Sequence, residues 1–160
     1  MNSIVDTNPP TGTILINEGA IITNNQTVTL TLSATDDISG VSEMQFSNGS
    51  TYSTLEPYST TKTWTLSASG DGTKKVRVKF KDQAGNVTAT GILATITLDT
   101  TAPVITLNGV TPDITVGGFY TELGATATDA VNGTFAATPS GSVDTTVIGA
   151  YTITYNATDT

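Results

Sequence analysis

The stretch TKKVRVKFKDQAGN, residues 73–86, holds five of the six Lys and Arg residues of a 160-residue chain and then runs into a glycine. Within it Val76, Val78 and Phe80 alternate with Lys75, Arg77, Lys79 and Lys81. Successive side chains of a β-strand point to opposite faces, so this pattern predicts a strand with one face on a core and a cationic face in water. The Asp82-Gln83-Ala84-Gly85-Asn86 segment is turn chemistry: Asp accepts nearby backbone N–H groups, and Gly and Asn tolerate positive φ. A returning strand over residues 86–98 then completes a hairpin.

Working outward, further strands are expected over residues 13–17, 27–35, 41–47 and 63–67. They are separated by turn signals at Asp37-Ile38-Ser39-Gly40, Asn48-Gly49 and Ser69-Gly70-Asp71-Gly72. Apolar runs at helical spacing are missing, so the chain reads as all-β. About seven short strands in some 90 residues indicate a β-sandwich. Trp64, Phe46 and Phe80 are its expected large core residues.

The chain also repeats itself. Leu98-Asp99-Thr100-Thr101-Ala102-Pro103 echoes Val5-Asp6-Thr7-Asn8-Pro9-Pro10, and Ala127-Thr128-Asp129 echoes Ala34-Thr35-Asp36. This divides the chain into a stub of a preceding module (residues 1–5), a first sandwich (6–101) and a second (102–160). Residues 151–159 take the place of 76–82, with no residues after them for a returning strand. The second sandwich is therefore expected to lack its final strand, as in a piece excised from an array, with donation by a neighbouring chain as the alternative.

Lys81-Asp82-Gln83-Ala84-Gly85-Asn86, followed by a Thr-rich strand ending Leu98-Asp99-Thr100-Thr101-Ala102-Pro103, resembles the bacterial Ig-like domains of large surface proteins. The second half is similar to another bacterial Ig-like type, found also in pesticidal crystal proteins and secreted hydrolases. The residues carrying that likeness are 103–109, 124–129, 141–145 and 149–155. The resemblance implies tandem Ig-like sandwiches acting outside the cell as spacers, stalks or adhesion modules, with no catalytic residues to carry over. Neighbouring Ig-like modules, in the same or an adjacent chain, are the expected partners. The alternatives are an adhesion or carbohydrate-binding accessory module facing a cell-surface glycan or protein, and a phage virion surface or tail module.

Composition agrees with a non-catalytic role. With no His and no Cys, neither Ser-His nor Cys-His nucleophile pairs can form within the chain, nor can disulfides or thiolate metal sites. A formal charge of −8 disfavours nucleic acid and anionic membrane as partners. No apolar run approaches the roughly 20 residues that span a bilayer, so membrane insertion is not expected. The N-terminus lacks signal-peptide character, which places any export signal elsewhere.

Two sites follow from the residue pattern. No cofactor is required by this reading, but calcium is the cofactor candidate, since Ca²⁺ takes oxygen ligands at flexible geometry and Asp36, Asp37, Asp82 and Asp99 lie at turns or the module junction. Lys75, Arg77, Lys79 and Lys81 form a candidate docking face for an acidic partner. Residues 1–100 carry nine acids and six bases, whereas residues 101–160 carry five acids and no base. A copy of the second module is thus a fitting acidic partner. The bland alternative for that face is solvated cations paired across strands, with Glu43 for instance. Tyr52 and Tyr58 are candidate carbohydrate contacts.

Overall fold

The computed structural model describes residues 5–111 and 113–159, and the chain divides into two compact units, Met1–Thr100 and Thr101–Thr160. Apart from Val5, the expected N-terminal stub lies outside the described residues. The only helical element among them is a three-residue 3₁₀ turn, Asn17–Gly19.

The first unit has eight strands: β1 (Thr11–Ile16), β2 (Ile22–Thr23), β3 (Thr27–Thr35), β4 (Val41–Ser47), β5 (Glu56–Pro57), β6 (Thr61–Thr65), β7 (Gly72–Asp82) and β8 (Ile92–Leu98). They form two sheets, ordered β1-β3-β6 and β2-β8-β7-β4-β5. All pairings are antiparallel except β2 on β8, which is parallel. The opening strand changes sheet between β1 and β2, turning through Asn17, Glu18 and Gly19, which all have positive φ. Asn17 stabilises this unusual turn by accepting the Thr29 N–H at 2.9 Å through Oδ1.

β7 is the axis of the larger sheet, and its alternation is the one read from sequence. Val76, Val78 and Phe80 are fully buried. They pack with Ile14, Ile16, Leu30 and Leu32 from the opposite sheet, and with Met44, Phe46, Ile96 and Leu98 from their own. Trp64 sits at the margin of this core, its ring 5.4 Å from that of Phe46 and its Nε1–H donating to Asn48 Oδ1 at 2.7 Å. Lys74 shares the inward parity and is only 3% exposed. It sits at the rim, where its ammonium donates to Ser69 Oγ and to the Gly70 carbonyl.

The returning strand is shorter than expected. Val78 faces Ile92, but Lys81 faces Val87, so the two pairings differ in register by two residues and the backbone between them loops out. The insertion carries Gly91, where an added Cβ would lie 1.9 Å from the Tyr52 hydroxyl. The two-residue strands β2 and β5 are too short to leave a periodic signature, which is why the sequence did not mark them.

The second unit has five strands: β9 (Val104–Leu107), β10 (Ala125–Asp129), β11 (Gly133–Ala136), β12 (Thr138–Ser140) and β13 (Thr154–Asn156). They form sheets β11-β10-β9 and β12-β13. β13 lies in the segment expected to match β7 and pairs with β12; among the described residues no strand lies on its other side.

Gly12 in β1 offers a test of sandwich closure. A Cβ there would meet the Ser33 carbonyl at 2.3 Å and the Phe80 ring at 2.7 Å, and the first of these is backbone that cannot swing away. Gly12→Ala is expected to destabilise the first unit by about 1–3 kcal/mol, the usual cost of overpacking. Urea unfolding followed by Trp64 fluorescence measures it, and an unchanged midpoint would contradict this packing.

Candidate functional site

Three carboxylates meet at one end of the first unit. Asp82 is the last residue of β7 and inherits the inward parity of Phe80, so it is buried, at 1% exposure. Its Oδ1 accepts the Asn86 N–H at 2.8 Å and its Oδ2 accepts Asn86 Nδ2–H at 2.7 Å. Between them Gly85, at φ 100°, makes the turn possible. Asp36 follows β3 and organises the next loop, its Oδ2 accepting the N–H groups of Ile38, Ser39 and Gly40 at 3.2, 2.9 and 2.9 Å. Asp6 arrives from the N-terminal segment, accepting the Ser39 N–H through Oδ2 at 3.1 Å and the Asn8 N–H through Oδ1 at 3.1 Å.

One oxygen from each of Asp6, Asp36 and Asp82 lies within 4.8 Å of the others. Two ligands on opposite sides of one Ca²⁺ ion, each bound at 2.3–2.6 Å, are about 5 Å apart, so this spacing fits a shared coordination shell. Like charges so close repel one another unless a cation intervenes. The adjacent base does not supply one, because Lys81 has the opposite parity and pairs with Glu43 at 2.7 Å. Asp36 Oδ1 is also shielded from solvent and accepts no hydrogen bond.

The grouping differs from the one expected from sequence. Asp36 and Asp82 come together, and Asp6, read there only as a boundary marker, joins them. Asp37 turns away and accepts Asn8 Nδ2–H at 2.8 Å. Asp99 lies at the other end of the sandwich: it follows Leu98, which pairs with Gly72 at the start of β7, whereas Asp82 ends that strand. The echo of Asp6 in Asp99 was the one sequence signal that could have singled out Asp6. Asp129 repeats the loop-forming role of Asp36 within the second unit, its Oδ1 accepting the N–H groups of Val131 and Asn132 at 2.7 and 2.8 Å.

The cationic face of β7 is largely engaged by β4 and by the loop that follows it. Lys81 pairs with Glu43, Lys79 lies 5.2 Å from the centroid of the Tyr52 ring, and Arg77 Nη1 donates to the Gly49 carbonyl at 3.4 Å. Lys75 is exposed. Of the two tyrosines considered for carbohydrate, Tyr58 packs edge-on against Phe80 and its hydroxyl accepts the Ala34 N–H at 3.0 Å, while Tyr52 is half-buried beneath Lys79. Neither is free to form an open stacking platform. In the second unit Tyr120 and Tyr155 both donate to Glu122. The hydrogen bond to Glu122 pushes the Tyr120 hydroxyl up to about 12.

Comparison with known families agrees with these two sandwiches. Residues 10–78 match the bacterial Ig domain family, and residues 105–160 match the Ig-like domain of bacterial surface proteins. The chain carries two bacterial Ig-like domains in tandem. No curated protein matches it. Among solved structures it is similar to the PKD1 domain of Vibrio anguillarum Epp, at 12% identity and a TM-score of 0.41, over 59% of this chain and all of that one. Ig-like families of this kind are generally non-catalytic, and the surface-protein family suggests an extracellular or surface location. No helix among the described residues is long and apolar enough to cross a membrane.

The Asp36 loop gives the first Ig-like domain an acid-sensitive element. Burial of the Asp36 carboxylate raises its pKa, but the N–H groups of Gly40, Ile38 and Ser39 together outweigh that and hold it below its ordinary value of 3.8. A carboxylate depressed on folding adds stability above its unfolded pKa, and that stability is lost as pH falls through the lower folded value. Between about pH 5 and about pH 3 the unfolding midpoint is expected to fall less in Asp36→Ala than in the parent chain. Parallel pH profiles for the two proteins would contradict this.

Proposed function

We propose that the chain is a non-catalytic spacer or stalk segment of a bacterial cell-surface or secreted protein, holding other domains apart by length and stiffness. The observation that carries this reading is where the backbone enters and leaves the first domain. Asp6 sits beside Asp82 at one end of β7, and Asp99 follows Leu98 beside Gly72 at the other. The ten steps from Gly72 to Asp82, at about 3.3 Å each, separate these points by roughly 33 Å, so each such domain adds its long dimension to the reach of the chain.

Two further features suit a part under tension. The terminal strands pair in parallel, Ile22 with Thr97 and Thr23 with Leu98, flanked by Thr97 N–H to the Ile21 carbonyl and Asp99 N–H to the Thr23 carbonyl, each at 2.9 Å. Pulling from opposite ends loads these bonds together in shear rather than one at a time. The incoming segment is also fastened, since Asn86 Nδ2 donates to the Asp6 carbonyl at 3.3 Å and Thr88 Oγ1 to the Pro10 carbonyl at 3.2 Å. The adhesion and virion readings draw no comparable support from the engaged Tyr52 and Tyr58.

Calcium at Asp6, Asp36 and Asp82 would complement this role, because one ion would tie the incoming segment to two loops of the domain. This second reading rests on three carboxylates from three separate segments meeting without a base. Millimolar Ca²⁺ is expected to raise the melting temperature of the parent chain but not of Asp6→Asn, with affinity on the order of 10⁻⁴–10⁻³ M as in other extracellular modules. Calorimetry showing neither heat nor a melting shift would remove it.

The cysteine-free chain allows a direct test of the spacer geometry. Spin labels on Thr7→Cys and Thr100→Cys are expected to be separated by roughly 35 Å with a narrow distribution, from the strand rise along β7. A separation below about 20 Å would overturn the spacer reading.

A further inference from the structure

Five stretches of the chain match the pattern Asn-x-Ser/Thr that accepts sugars on asparagine: Asn25-Gln26-Thr27, Asn48-Gly49-Ser50, Asn86-Val87-Thr88, Asn132-Gly133-Thr134 and Asn156-Ala157-Thr158. A chain rich in Asn and Thr produces such matches by chance, so the fold must decide which asparagine can react. Transfer needs an amide nitrogen open to solvent and free of hydrogen bonds, because that nitrogen must enter the active site of another protein.

Three of the five amides are already committed. Asn48 Nδ2 donates to the Thr65 carbonyl at 2.9 Å, while its Oδ1 accepts the Trp64 indole N–H. Asn86 Nδ2 donates to Asp82 Oδ2, and the Thr88 hydroxyl faces the Pro10 and Phe80 carbonyls at 3.2 Å. Asn132 is half-buried, and its Nδ2 donates to Asp159 Oδ1 at 3.4 Å. Asn156 is exposed but lies inside β13, held extended opposite Thr138 of β12.

Asn25 differs from all four. It lies in the loop between β2 and β3 and is exposed, as is Thr27. The middle residue anchors the loop: Gln26 Nε2 donates to the Leu66 carbonyl at 3.0 Å, and the Gln26 carbonyl accepts the Leu66 N–H at 2.9 Å. Asn25 Oδ1 accepts the Thr27 N–H at 2.8 Å, which fixes the carboxamide and leaves Nδ2 without a hydrogen-bond partner among the described residues. The same bond polarises the carboxamide and makes its N–H groups more acidic. We propose that Asn25 is a glycosylation acceptor of the folded first domain, taking a hexose from a nucleotide-activated sugar. Asn25 Nδ2 bonds to the anomeric carbon, the bond from that carbon to the diphosphate oxygen breaks, and the nucleoside diphosphate leaves with the electron pair. One amide proton passes to a base of the transferring enzyme. The sugar then stands two residues beyond Thr23, where the β2–β8 pairing ends, and adds hydrated bulk at that rim.

The test uses the intact folded chain, a soluble asparagine glycosyltransferase of Asn-x-Ser/Thr specificity and a nucleotide-activated glucose, with sites mapped by mass spectrometry of proteolytic peptides. One hexose on Asn25 is expected. Asn48, Asn86, Asn132 and Asn156 are expected to be modified at least about tenfold less, because each must first break a hydrogen bond or leave its strand. Synthetic peptides spanning each of the five stretches are expected to be accepted alike, which assigns the selection to the fold. Thr27→Ala, at a position whose side chain is exposed, is expected to abolish transfer to Asn25, and Thr27→Ser to retain it. Transfer to the Asn25 peptide but not to Asn25 of the folded chain would overturn the proposal. So would equal transfer to Asn48 or Asn86 in the folded chain, or a peptide series that already shows the folded chain's preference.

Discussion

The alternation of β7 is the constraint from which the first domain follows. A strand central to its sheet must commit every second residue to the interior, and here that row reads Lys74, Val76, Val78, Phe80, Asp82. The three apolar members are fully buried in the core between the sheets. The charged members fall at the two rims, where loops can reach them. Lys74 is met by Ser69 and Gly70, and Asp82 by Asn86. Burying a charge costs several kcal/mol unless it is hydrogen-bonded, so each rim residue dictates the loop beside it.

That local demand explains how a structural feature becomes a candidate cation site. Asp82 needs donors and takes both from Asn86; Asp36 needs them and takes three consecutive backbone N–H groups. Each carboxylate is accounted for by its own turn. Their meeting, with Asp6 added, is a consequence of sandwich topology, which brings the end of β3, the end of β7 and the incoming segment to one rim. One oxygen of each then lies within 4.8 Å of the others, while the neighbouring Lys81 is paired with Glu43.

The two domains solve the problem of a small core differently. The first buries thirteen hydrophobic residues in one cluster, including Phe46 and Phe80. The second buries alanines and leaves its larger side chains lining a groove. Small domains sit close to the margin at which burial offsets chain entropy, and the alanine cluster of the second domain contributes less burial than the larger core of the first.

Sequence alone determined the all-β class, the repeat and the orientation of β7, because these depend on period-two alternation and turn chemistry, both local properties of a few adjacent residues. It also marked Asp36 and Asp82 as turn formers. It could not place β2 or β5, whose two-residue length carries no period, nor the looped-out insertion before β8, where pairing changes register. It grouped Asp37 and Asp99 with the candidate site and left Asp6 outside, because adjacency along the chain says nothing about which rim of a sandwich a residue reaches. The tertiary structure decided that: strand direction in the sheet sends Asp99 to one end of β7 and brings Asp6 to the other. The burial of Lys74 and the capture of Lys79 and Arg77 by neighbouring groups were likewise settled by contacts between residues distant in sequence.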